Sequence, residues 1–262
     1  HRGTLTSIHG IKKGNRMCEI AMRTAEIAAT LAALKAGHSY PGRQLLGLWK
    51  TLLTNQFHDI LPGSSITEVN VQAIREFTET RAAAGRITAD SLAAVAGGSK
   101  APGSVAIFNP LSWERRGECI LDDIPEGMVP ADGNIRSQWI TDISGCKRLA
   151  IDGAALPSLG TAVLALKPGA ASGKSAFVVK GDTVETPHST VQFDEAGRIV
   201  RFIDKASGRD VARSGGTPLN TFWLGEDIPN QYDNWDIDAE QQFKMRPMVN
   251  LVSREIVSQG PV

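Results

Sequence analysis

Asn55-Gln56-Phe57-His58-Asp59-Ile60-Leu61-Pro62-Gly63-Ser64-Ser65-Ile66 places a neighbouring His and Asp at the end of an apolar-periodic segment. Leu45, Leu48, Trp49, Leu52, Leu53, Phe57, Ile60 and Leu61 recur at helical spacing, which predicts an amphipathic helix over residues 42–61. Pro62-Gly63 then acts as the breaker, and Ser65-Ile66-Thr67-Glu68 reads as a capping box that opens another helix. Successive helical residues lie about 100° apart, so His58 and Asp59 can reach one cavity only beyond the end of the helices.

Working outward, residues 15–36 carry Ile20, Thr24, Ile27, Ala28, Leu31 and Leu34 at steps of three and four and end at Gly37. Residues 66–96 carry Ile66, Val69, Ala73, Ile74, Phe77, Ala84, Ile87, Leu92 and Val95 before Gly97-Gly98. Short connections make neighbouring helices antiparallel, so an up-down-up three-helix bundle with a Leu, Ile and Ala seam is expected. Past Ser99-Lys100-Ala101-Pro102-Gly103 the helical period disappears. Short β-prone runs follow at 105–108, 118–121, 137–143, 161–166, 177–179, 190–193 and 199–203, most of them separated by Gly, Pro or Asp. Frequent turns between short strands indicate an antiparallel β-sandwich, with 191–199 a hairpin turning at Gly197. The fold class is therefore an α+β multidomain chain, with residues 1–100 as a helical bundle and 101–262 as a β region.

Neutral imidazole is a good zinc ligand, and a carboxylate beside it can orient a ligand or accept a hydroxyl. Spacing alone leaves a hydrogen-bonded helix-end histidine as the other reading of His58, because no HExxH, CxxC or HxxxH pattern accompanies it. A second candidate is Tyr232 to Asp238, where Asp233, Asp236 and Asp238 accompany Tyr232 and Trp235. Aromatic faces stack on sugars while carboxylates accept their hydroxyls, although an acidic surface loop over Trp235 has the same composition. If this stretch is a strand, Asp236 and Asp238 share a face. His9, His38 and His188 read as surface residues in polar loops, and Trp113 and Trp223 as residues packed in a core or between domains.

The string NQFHDILPGSSI resembles the signature of glycoside hydrolase family 38, the zinc-dependent α-mannosidases. His1-Arg2-Gly3-Thr4-Leu5-Thr6-Ser7 is similar to the family's HRGTYTS segment, with Leu5 where an aromatic is usual, and Gly14-Asn15-Arg16-Met17-Cys18-Glu19 to the helix after it. Val105 to Glu114 resembles the strand opening the family's C-terminal β region. Asp227 to Asp238 resembles its DIP…YDAWDI stretch, with Asn234 where a small residue is usual. The resemblance implies a retaining α-mannosidase acting on terminal α-linked mannose, with His58 as a zinc ligand and Asp59 as a contact to the bound sugar. It also implies that the nucleophile, the general acid and the remaining ligands belong to an N-terminal α/β domain preceding His1. The β region would then be the start of a mutarotase-like supersandwich, left incomplete at Val262. A non-catalytic carbohydrate-binding or domain-docking module is the alternative reading.

The 262 residues carry 28 Lys+Arg and 28 Asp+Glu, so no global field favours nucleic acid or an anionic membrane. A neutral carbohydrate suits this balance better, and a homo-oligomer stays open. Cys18, Cys119 and Cys146 are odd in number and scattered, which suits reduced thiols in a cytoplasm. No apolar run reaches the roughly 18 residues of a membrane span, and no signal-peptide pattern opens the chain.

Overall fold

The computed structural model describes residues 4, 7–96, 103–142, 144–170, 174–212, 215–228, 230–232, 234–258 and 260–262. Three helices come first: α1 (His9–Ala36), α2 (Gly42–Asn55) and α3 (Thr67–Val95). Gly37 closes α1 in the left-handed conformation at φ 64°, its N–H bonding back to Ala32 O, as a C-terminal glycine does. Gly97 and Gly98, expected to end α3, lie outside the described residues.

The face that α1 buries is not the Ile/Leu stripe the spacing predicts. Ile11, Asn15, Cys18, Met22, Ala25, Ala28, Ala29 and Ala32 are buried, whereas Ile20 and Leu34 are exposed. Small side chains let α1 lie close against α3, where Ala73, Phe77, Ala84 and Ile87 complete the core. Leu45 and Leu52 of α2 fill the remaining side, with Leu48, Trp49, Ile60 and Leu61 packed partly against it. Trp49 anchors its indole N–H on Glu26 Oε1 at 3.0 Å.

Two small antiparallel sheets follow. One has the order β2 (Arg115–Leu121), β5 (Lys147–Leu156), β4 (Arg136–Thr141); the other has β1 (Ser104–Asn109), β6 (Gly160–Pro168), β3 (Met128–Pro130). Leu121, Leu149, Ile151, Leu156 and Leu164 form a common core between them, joined by Val105, Ile107 and Trp139. Buried Asn109 staples the connections: its amide serves Trp113 O, Leu156 O and Pro157 O, and its Oδ1 accepts from Leu111 N. A four-stranded meander comes next, in the order β10 (Ile199–Asp204), β9 (Ser189–Phe193), β8 (Thr183–Glu185), β7 (Val178–Lys180). Its β9–β10 hairpin turns at Gly197, φ 75°, as the sequence predicts. Trp113 and Trp223 are not core residues, being 59% and 46% exposed.

Candidate functional site

The segment that carries His58 and Asp59 is a loop, not the last turns of a helix. α2 ends at Asn55, and residues 56–63 run through successive turns before α3 begins. The predicted capping box is also absent, because the N-cap of α3 is Ile66, whose side chain cannot cap. Ser65 instead turns its hydroxyl back to donate to Asp59 O at 2.7 Å, and Ser64 donates to the same carbonyl at 3.4 Å. The serines of the motif therefore hold the backbone of the loop rather than start a helix.

The root of the loop is tied to both neighbouring helices. Asn55, only 3% exposed, donates its amide to Glu76 Oε2 of α3 at 2.7 Å and to Thr51 O at 3.2 Å. Gln56 donates to Asn15 Oδ1 (2.9 Å) and Glu19 Oε1 (3.1 Å), both on α1. Asn15 in turn donates to Glu19 Oε1 at 3.1 Å. Buried polar groups of this kind require partners, and the Asn-Gln pair finds them on opposite sides.

At the tip, Phe57 O accepts from the N–H groups of Ile60 (2.9 Å) and Leu61 (3.0 Å), which curls the chain around His58 and Asp59. His58 Nε2 lies 3.3 Å from Asp59 Oδ2, and its ring sits 4.3 Å from that of Phe57, tilted by 43°. The side chains of His58 and Asp59 are 72% and 51% exposed, so their donor atoms face outward. An open cavity of about 370 Å³ lined by Thr4, Lys12, Asn15, Leu61 and Pro62 lies at the same end of α1.

The two predicted residues thus meet, but they meet as a pair. Among the described residues no group of three or more His, Cys, Asp or Glu side chains could hold a metal ion. One exposed imidazole beside a carboxylate falls short of the three or four ligands that a zinc ion takes, so a metal held here would need further ligands beyond this pair.

The second candidate is a turn rather than a strand. Tyr232 sits at φ 62°, and its carbonyl accepts from Trp235 N (2.8 Å) and Asp236 N (3.0 Å). Asp238 Oδ2 accepts from the backbone and side-chain amides of Asn230 at 3.1 and 2.9 Å. Alternation therefore does not set the faces of Asp236 and Asp238. Tyr232 is exposed and Trp235 half-buried, while Asp233 lies outside the described residues. His9, His38 and His188 are exposed as expected, although His9 opens α1 rather than lying in a loop. No sequence pattern marks Lys12, Glu19 and Gln56 as supports of the loop. Asn15 was detectable in principle, since a polar residue in step with Ile11, Cys18 and Met22 must find a partner.

Residues 1–95, which hold the three helices, match the Alpha mannosidase middle domain, and residues 184–262 match the Glycosyl hydrolases family 38 C-terminal domain. The chain belongs to the glycoside hydrolase family 38 α-mannosidases. It is 32% identical over 246 residues to Alpha-mannosidase 2C1 of Homo sapiens, a match covering 90% of this chain and 21% of that protein. Alpha-mannosidase of Saccharomyces cerevisiae is 45% identical over 71 residues, 26% of this chain and 7% of that protein. The chain spans about a fifth of the length of its long curated matches, 21% and 22%. Among solved structures, an alpha-mannosidase from Enterococcus faecalis V583 shares the fold at a TM-score of 0.55 and 15% identity, over 79% of this chain and 29% of that one. A glycosyl hydrolase family 38 protein from the same species aligns with a TM-score of 0.55 and 12% identity, over 87% and 36%.

Proposed function

We propose that this chain supplies one wall of the active site of a retaining, zinc-dependent α-mannosidase that hydrolyses terminal α-linked mannose from glycans. The observation that carries the reading is the outward-facing His58–Asp59 pair on a loop rooted in all three helices. In the proposal residues 1–100 form the unit that bears this loop, and 101–262 form the β region behind it. His58 would ligate zinc through an imidazole nitrogen, and Asp59 would accept a hydroxyl of the sugar in the cleft. Zinc, when bound, acts as a Lewis acid on oxygen atoms of the substrate. Tyr232, Asp233, Trp235 and Asp236 are the proposed second sugar-facing surface, the rings stacking on the pyranose and the carboxylates accepting its hydroxyls. Retention requires two carboxyl groups about 5 Å apart, and neither is assigned to this chain. The free thiols Cys18, Cys119 and Cys146 support a cytoplasmic setting, and among the described residues no helix is long and apolar enough to cross a membrane.

The second reading for the chain on its own is a carbohydrate-binding or domain-docking module without turnover, in which His58 belongs to no group of three or more ligands among the described residues. His58→Ala and Asp59→Ala in the complete enzyme separate the two. Because both side chains are exposed, folding should be preserved in each variant. His58→Ala is expected to lose zinc and activity together, by more than the roughly 10–100-fold cost of an outer-shell change. Asp59→Ala should keep most of its zinc and lose rate on an aryl α-mannoside. Full zinc content and a near-normal rate in His58→Ala would refute the metal role.

A further inference from the structure

We propose that Lys12 is a positioning residue that clamps the return limb of the His58–Asp59 loop to the start of α1. The ammonium of Lys12, in the first turn of α1, donates to Ser7 O and, across the fold, to Pro62 O at 2.6 Å. Ser7 immediately precedes Ile8, the N-cap of α1, which sits at φ 45° and ψ 65°. A β-branched residue in the left-handed region is an outlier that persists only where its surroundings impose it. The loop packs directly against it. Gly63 has φ 81°, and a Cβ there would lie 3.0 Å from Ile8 Cγ1 and 3.1 Å from Ser7 O. Residues 7–8 and 62–63 therefore interlock, with Lys12 bridging the two carbonyls.

This gives the loop two anchors. Asn55 and Gln56 hold the outgoing limb on α3 and α1, and Lys12 holds the returning one. His58 and Asp59 lie between them, so the direction in which they project depends on both. A functional pair on a loop needs such support, because a loop free to move by an ångström loses a metal or substrate geometry. The hydrogen bonds of Lys12 go to the carbonyls of Ser7 and Pro62 rather than to the pair, so it acts through the backbone. Burial lowers its pKa, which disfavours the charged form, so the two carbonyl acceptors are what hold the ammonium at this site.

The consequence for zinc rests on the reading of His58 given above, whereas the consequence for the loop does not. The test uses the complete protein and its Lys12→Met and Lys12→Arg variants. Hydrogen exchange is followed at the amides of Ile60, Leu61 and Gly63, with zinc release to a chelator measured alongside. Loss of a charge-assisted bond should accelerate exchange at these amides about ten- to a hundredfold in Lys12→Met. Amides within α3 should be unaffected, and zinc release should become faster. Lys12→Arg, which can still donate to both carbonyls, should restore slow exchange and slow release. Unchanged exchange at the loop, or an equal loss across the whole bundle, overturns the positioning role. Faster loop exchange with unaltered zinc release supports the clamp and overturns the metal reading of His58.

Discussion

Asn55 is buried and donates to two acceptors, so its amide cannot be removed without leaving a carboxylate and a carbonyl short of a donor. Gln72 on one side and Asn55 on the other hold the Glu76 carboxyl below its ordinary 4.5. The folded protein therefore binds fewer protons than the unfolded chain in this range. The stabilisation is complete above 4.5 and is lost as the pH falls through the lower folded value. Asn55→Ala is expected to cost about 1–3 kcal/mol at neutral pH. The gap from wild type should narrow once the pH is well below 4.5, because a protonated Glu76 needs its donors less. Chemical unfolding followed by helical circular dichroism at both pH values measures this, and a gap independent of pH would contradict the role given to Glu76. At this scale the pair itself was legible, since His58 and Asp59 are adjacent in the chain. Its supports were not, because Lys12, Glu19 and Glu76 come from segments far away in sequence and no local spacing joins them to the loop, while Asn15 shows only as a polar residue on a buried face.

Among the elements, the three helices before residue 97 were legible in order but not in the face they bury, and the short helix at Gln241–Lys244 was not legible at all. Apolar spacing points Ile20 and Leu34 inward, whereas the α1–α3 contact is made by residues small enough to bring the helices together. Gly14 shows how close that contact is. A Cβ at this position would lie 2.8 Å from Phe77 Cδ2 and 2.9 Å from its Cβ, and Phe77 is itself only 2% exposed. Helix propensity favours Ala over Gly by about 1 kcal/mol, while overpacking a filled core costs about 1–3 kcal/mol. The clash should win, so Gly14→Ala is expected to lower the melting temperature; a rise would mean that α3 can draw back. In the β region the β9–β10 hairpin was legible from its turn, but β5 was not. β5 is the central strand of its sheet, buried at Leu149, Ala150 and Ile151 in succession, so its residues do not alternate as a half-buried strand's do. Ala150, Ala154 and Ala155 also give it little of the β-branched composition by which strands are recognised.

Over the whole molecule, the accessible surface is 17083 Å² for 28.0 kDa, whereas a monomer of that mass folded on one core exposes about 11,000 Å². The excess is concentrated towards the C-terminal end. From 213 to 258 no described apolar residue is buried, and Phe222, Phe243, Val252 and Val257 are 75%, 82%, 98% and 91% exposed. Polar ties hold this stretch to the preceding sheets: Gln138 donates to Ser258, and Arg254 pairs with Asp182 while lying 5.5 Å over the Phe193 ring. Exposed ion pairs contribute about 0–1 kcal/mol each, far less than burying several aromatic and aliphatic side chains at about 1.5–3 kcal/mol apiece. The local stability of residues 222–258 should therefore be low unless another surface covers these side chains. In the isolated chain, a protease of broad specificity is expected to cut within 222–258 well before it cuts α1 or α3. A dye that reports apolar surface should bind before any heating and lose most of its signal once that stretch is removed. Equal protection of 222–258 and of the helices would show that the polar ties are sufficient and that the exposed apolar residues need no cover.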